Sequence, residues 1–228
     1  ALSTETLREL AMAAHYFDSK EQVRVVIVAG RGRAFSAGAD LQSFPQLSDP
    51  ELRSAADAGR EMADALEGMR AISIAQIHGW CVGGGLVLAA ACDLRLAAED
   101  AQFSIPEIDL GIPLAWGGIP RLVREIGPAL TKELVITCRV FSTDEALRCG
   151  FLNRGVSSDQ LEEASLALAE QIAAKPALPV FATKQHANAG TANMVGMNRS
   201  WSDADSLISG LVDPECSEAR ETYIQSKL

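Results

Sequence analysis

The sequence predicts an α/β core followed by a helical extension, and three observations carry that expectation. Apolar, β-branched runs at 23–29 and 71–77 each lead toward glycine-bearing loops. Stretches with apolar residues at helical spacing separate these runs. Later in the chain the pattern turns helical, which divides it into a core over residues 1–140 and a helical extension over 141–228.

Taken in order, Ser3 or Thr4 is placed to cap a first helix in which Leu7, Leu10, Ala11, Ala14 and Phe17 recur at helical spacing. Residues 23–29 read as a buried strand stopped by Gly30, Arg31, Gly32 and Arg33. A helix over 51–69 follows, then a strand over 71–77 that leads into Gly83, Gly84 and Gly85. The pattern returns after about fifty residues, as in a repeated strand–turn–helix coil. Next come a helix at 86–91, strand-like residues 93–98, and a short strand at 102–105 ending in Pro106 and Glu107. Pro120, after Gly117 and Gly118, opens a helix that closes near Gly127. The remaining segments, 129–137, 143–149, 160–174, 180–188, 194–208 and 217–226, all show helical spacing. A tail this rich in Ala, Leu and Met needs a surface to pack on, which points to oligomerisation.

At 228 residues, 48% hydrophobic and 22% charged, the chain can bury a full core. It contains no apolar run approaching the roughly 18 residues of a membrane span, and no charged segment followed by an apolar core at its start. A cytoplasmic location without a membrane partner is therefore expected. Cys81, Cys92, Cys138, Cys149 and Cys216 form an odd set without C-x-x-C spacing, which argues against a disulfide framework or a zinc site and reads as buried thiols. A formal net charge of −10 disfavours nucleic acid as a partner.

Two loops carry the chemistry. Gly83–Gly85 lets backbone approach a ligand, and the first N–H groups of the helix that follows are unpaired within it. Such triplets also serve as plain tight turns. Ala37, Gly38, Ala39 and Asp40 form a second glycine-flanked loop, so N–H groups from both would meet at one point if the repeats stack, making an oxyanion hole for a thioester enolate. Glu107 lies between Pro106 and Ile108 at a strand end, where burial would raise its pKa and make it a better base, although a solvated glutamate is the commoner case. His15, His78 and His186 are too scattered for a metal site. Arg31 and Arg33 are read as solvated before phosphate contacts, Asp93 as structural, and Met194, Met197 and Trp201 as a core face.

Four ordered motifs then carry a resemblance: Ala34 to Leu41, the strand into Gly83–Gly85, Ala91 to Arg95, and Phe103 to Gly111. With Gly117 to Leu122 downstream, they resemble the enoyl-CoA hydratase/isomerase (crotonase) family over nearly the whole chain. That resemblance implies a right-handed coil of ββα units with a helical C-terminal trimerisation region. Members of that family carry two further strands before the position of Ala1, which here either precede this sequence or are abbreviated, and the resemblance also implies a homotrimer or dimer of trimers and an acyl-CoA ligand with no cofactor beyond the coenzyme A of the thioester.

Position by position, it makes Ala39 and Gly84 the two oxyanion-hole donors and Glu107 the catalytic base. Ala37, Gly38, Asp40, Leu41, Gly83 and Trp116 fall in the segments that line substrate or coenzyme A, with Trp116 equally readable as packing. The departure is Val87, where full hydratases of the family carry a first glutamate, and Val87 and Ala115 stand where dienoyl-CoA isomerases carry aspartates. One base with an oxyanion hole implies a shift of the double bond of a 3-enoyl-CoA to 2-enoyl-CoA. A 2-enoyl-CoA hydratase with a different water-positioning group and a noncatalytic acyl-CoA binder are the alternatives.

Overall fold

The computed structural model describes residues 1–40, 49–197 and 202–227. Its first half runs α1 (Thr4–Asp18), β1 (Val25–Ala29), α2 (Asp49–Gly68), β2 (Ile72–Ile77), β3 (Trp80–Val82), α3 (Gly84–Ala90), β4 (Leu94–Ala98) and β5 (Gln102–Ser104). The second half runs α4 (Gly118–Thr137), β6 (Phe141–Ser142), α5 (Thr143–Arg148), β7 (Arg154–Val156), α6 (Leu161–Ala173), α7 (Ala177–Met194), α8 (Asp203–Val212) and α9 (Pro214–Lys227).

A parallel four-stranded sheet, in the order β1-β2-β4-β7, forms the centre. Ile74, Ala75, Ile77, Leu96 and Ala97 are fully buried in it, which is why β2 and β4 read as nearly continuous apolar runs. Helix α6 packs on β1, β2 and β4. Helix α1 starts at the capped Ser3, whose Oγ accepts from the Thr6 N–H at 3.1 Å, and it packs Leu7 and Ala14 inward beside α2.

A second, smaller sheet pairs β3 with β5 in parallel and β5 with β6 antiparallel. It is this sheet, and not β2, that delivers the glycine triplet. After Ile77 the chain turns at Gly79, whose φ is +57°, and a methyl there would lie 2.3 Å from the Arg33 carbonyl oxygen. The single run expected to end in glycines is thus two strands in two sheets.

The final third is not wholly helical. Strands β6 and β7 both lie beyond residue 140, and β7 adds to the central sheet beside β4. Strands of two and three residues carry too little periodicity to read. The helix expected from Pro120 to near Gly127 and the one expected at 129–137 are one element broken at Gly127 (φ +76°, ψ 165°) before Pro128, which cannot donate the helical hydrogen bond. Met194 ends α7 and is 85% exposed, so it does not belong to a core face, and Trp201 lies outside the described residues. Cys81 and Cys92 are buried, whereas Cys138, Cys149 and Cys216 are partly exposed, Cys138 because it caps the end of α4 in the left-handed region.

Buried charge ties the layers together. The Arg95 side chain, 4% exposed, pairs with Glu125 and donates to the carbonyls of Phe151 at 2.5 Å and Cys92 at 2.7 Å. Asp93 accepts from the Ser73 N–H at 2.7 Å, the Ser73 hydroxyl at 2.9 Å and Lys184 Nζ at 2.8 Å, joining β2, β4 and α7. Its role there is structural.

Candidate active site

The first loop is held from both sides. Ser36 N–H donates to the Trp80 carbonyl at 3.0 Å, and Val82 N–H donates to the Ser36 carbonyl at 3.0 Å, so the loop lies along β3. Two residues on, Leu2 N–H donates to the Gly38 carbonyl at 2.8 Å and Asp40 N–H donates to the Leu2 carbonyl at 3.0 Å. Because residues 38 and 40 use these groups in a parallel bridge, the N–H of Ala39 between them faces the other way. It meets no backbone acceptor among the described residues.

The second loop turns at Gly83, with φ +50° and ψ −115°, a conformation open to glycine. Gly83 N–H donates to the Ser104 carbonyl of β5 at 2.9 Å, and its own carbonyl opens α3 by accepting from Leu86 and Val87. Gly84 N–H, at the first turn, has no helical partner. The two loops touch: a methyl on Gly38 would lie 3.0 Å from the Val82 carbonyl oxygen and 3.8 Å from Gly84 N.

Glu107 comes from the turn after β5, where its carbonyl accepts from Ile112 N–H at 2.9 Å. The residue is only 8% exposed, and its buried Oε2 has no hydrogen-bond partner among the described residues. Burial pushes its pKa up to about 7, with its own backbone hydrogen bond opposing the shift. Ala39, Gly84 and Glu107 line one cavity of about 30 Å³, whose remaining wall is apolar and includes Val87, Ala115, Trp116 and Leu207. No second carboxylate lines it among the described residues.

Of the residues singled out from the sequence, Gly83 shapes this cavity from beneath, and Gly38 spaces the two loops. Trp116 is a buried wall. Ala37 is exposed and Asp40 half-buried, and neither lines the cavity; Leu41 lies outside the described residues. Arg31 and Arg33 are exposed, and His15 and His186 lie on exposed helix surface. His78 Nε2 donates to the Gly32 carbonyl at 3.0 Å, so it braces a loop outside the cavity. Leu207 and Leu114 belong to the wall yet carry no local signal, because Leu207 arrives from α8, about a hundred residues after Glu107.

A larger cavity of about 800 Å³ lies between the end of α3, α4, α6 and α7. Size alone would favour it. Its Arg121, Arg124 and Lys184 are engaged by Glu67 and Asp93, and it holds no lone carboxylate of the Glu107 kind, so the smaller cavity is the better site for chemistry. Among the described residues no group of three or more His, Cys, Asp or Glu is placed to hold a metal ion, and no helix is long and apolar enough to cross a membrane.

A family model described as enoyl-CoA hydratase/isomerase matches residues 1–223. The chain is 37% identical over 191 residues to a crotonyl-CoA hydratase of Syntrophomonas wolfei, covering 83% of this chain and 74% of that protein. It is 36% identical over 198 residues to a peroxisomal Delta(3,5)-Delta(2,4)-dienoyl-CoA isomerase of Arabidopsis thaliana, covering 81% and 71%. In structure it is similar to an enoyl-CoA hydratase from Bacillus anthracis, with a TM-score of 0.80 and 31% identity over 99% of this chain and 87% of that one.

Proposed function

Because the chain belongs to the enoyl-CoA hydratase/isomerase family and has its crotonase fold, and because that family acts on acyl-CoA thioesters, we propose that this protein shifts the double bond of a 3-enoyl-CoA to give a 2-enoyl-CoA. The observation that carries the reading is that Glu107, Ala39 and Gly84 line one cavity in which Glu107 is the single carboxylate among the described residues, with Val87 lining it where the family resemblance would place a second.

In this reading the Glu107 carboxylate removes a proton from C2. The C–H electron pair enters the thioester, and negative charge gathers on its oxygen, where the N–H groups of Ala39 and Gly84 hold it. Each such donor is worth about 3 kcal/mol in a transition state. Neutral Glu107 then returns the proton at C4, and the double bond comes to rest between C2 and C3. A pKa of about 7 suits both halves of this exchange. The apolar wall around Glu107 offers no second acidic or basic side chain, among the described residues, to activate a water.

Hydration of a 2-enoyl-CoA is the second reading, favoured by the similarity to the crotonyl-CoA hydratase and by the open Oε2 of Glu107, which can accept from a water. Absorbance of the conjugated enoyl thioester separates the two. It rises when a 3-enoyl-CoA is isomerised and falls when crotonyl-CoA is hydrated. Glu107→Gln should lower the isomerisation rate about 10²- to 10⁴-fold. Full turnover by that variant would remove Glu107 from the reaction, and acyl-CoA binding with neither absorbance change would leave a binder only.

A further inference from the structure

The indole of Trp116 sits in a slot formed by two glycines from different helices. A methyl on Gly59 of α2 would lie 2.1 Å from Cδ2 and Cε2 of the ring, and a methyl on Gly84 of α3 would lie 2.2 Å from Cζ3. Contacts that short do not occur between real atoms, so the ring occupies its place because both positions lack a side chain. The main chain is fixed as firmly. Trp116 has φ +61°, which a bulky residue rarely adopts, and its carbonyl accepts from Nη1 of the buried Arg121 at 3.0 Å. Arg121 is itself anchored by Asp64 and Glu67, both at 2.7 Å, and the next N–H, of Gly117, donates to Asp203 at 2.7 Å.

A ring clamped in this way, on the cavity of Glu107, decides how much acyl chain fits. The cavity beside Glu107 is about 30 Å³ and the indole is part of its wall, so an acyl chain that enters must move other wall residues before it can move this clamped ring. We infer that Trp116, seated between Gly59 and Gly84, is the specificity-determining residue of this site and restricts it to acyl-CoA thioesters with short acyl groups. The inference rests on the proposed acyl-CoA site and names its substrate class. It does not depend on which bond is made there.

Two substitutions push the ring's effect in opposite directions. Trp116→Gly removes the wall and relieves the left-handed backbone, opening space beyond Glu107. Gly59→Ala adds a methyl under the ring and drives it toward the cavity, while alanine is the better helix former, so a loss of binding is not a loss of α2.

The test measures dissociation constants of butyryl-CoA and octanoyl-CoA by titration calorimetry for the wild type, Trp116→Gly, Trp116→Leu and Gly59→Ala, with melting temperatures alongside. These saturated thioesters need no turnover, so chain-length selection is read even if the proposed reaction fails. The wild type is expected to bind butyryl-CoA more tightly than octanoyl-CoA. Trp116→Gly should shift that ratio toward octanoyl-CoA by at least about tenfold, since each buried methylene is worth about fourfold. Trp116→Leu should shift it less, and Gly59→Ala should weaken both ligands. If Trp116→Gly does not fold, the leucine variant and Gly59→Ala decide the matter. A wild type that prefers octanoyl-CoA, or a ratio unchanged in every folded Trp116 variant, overturns the inference.

Discussion

The Glu107 carboxylate rests directly over the α-carbon of Gly83, so closely that a methyl on Gly83 would lie 2.2 Å from Oε1 and 2.9 Å from Cδ. The glycine that turns the loop into α3 is therefore also the floor under the one acidic group that lines the cavity among the described residues. Gly83→Ala must move the carboxylate as well as strain a residue at φ +50°. The expected result is a loss of about 10²-fold or more in kcat with α-helical circular dichroism retained, and steady-state kinetics on a 3-enoyl-CoA measures it.

The proposed reaction uses Glu107 as the anion, and its pKa is raised from 4.5 to about 7 by burial. The logarithm of kcat/KM for isomerisation should therefore rise with pH up to about 7 and level off above it. A pH–rate profile without that limb would assign the limiting ionisation to another group.

The same shift has a consequence for stability. A carboxyl whose folded pKa lies above its unfolded value binds its proton more tightly when folded, so its contribution is fully present below about pH 4.5 and is lost as pH rises through about 7. The total is on the order of 3 kcal/mol. Glu107→Gln cannot ionise, and it should be more stable than the wild type at pH 8 while nearly matching it at pH 4.5. Urea unfolding at both pH values checks this, and equal stability at pH 8 would mean that the carboxylate is well solvated.

Asp203 reaches from α8 to accept from the Gly117 N–H at 2.7 Å, and burial raises its pKa against the lowering effect of that bond. Arg53 pairs with Asp205 at 2.6 Å on the same helix, but that pair is about half exposed and contributes little. Asp203→Ala should cost about 1–3 kcal/mol by leaving the Gly117 N–H unpaired. It should also raise KM more than it lowers kcat, since Leu207 and Trp116 lose their mutual alignment while Glu107 keeps its place. Asp203→Asn, which keeps an acceptor, should restore most of both.

Arg95 is the buried tie between β4, the end of α3 and the chain after α5. Removing it strands Glu125, whose pKa is already raised by burial, along with two carbonyls. Arg95→Ala is expected to lose about 3–5 kcal/mol of unfolding free energy with the activity of the remaining folded protein unchanged, which thermal unfolding and active-site titration together can measure.

Much of the candidate site was legible in the residues because the groups proposed for it depend on local chemistry. Gly83 is needed at a positive φ, Ala39 lies in a glycine-flanked loop, and Glu107 follows an apolar strand through a proline. Each of these is a property of about five consecutive residues. Val87 and Ala115 stood out by comparison with a motif, and both line the cavity. Gly59 gave no such signal, since a glycine within a helical pattern reads only as a weak helix former until the indole above it is seen.

The longer strands and helices, the two glycine loops and the acid at position 107 were thus set by the amino acids themselves, because hydrophobic period and backbone freedom are local. Tertiary structure decided that β3 and not β2 carries the triplet, that β7 completes the central sheet, and that Leu207, Asp203 and Gly59 converge on Trp116. Those residues are separated by up to about 150 positions. Their meeting depends on how finished elements stack and which side chains the gaps between them admit, and no pattern within a single element encodes that.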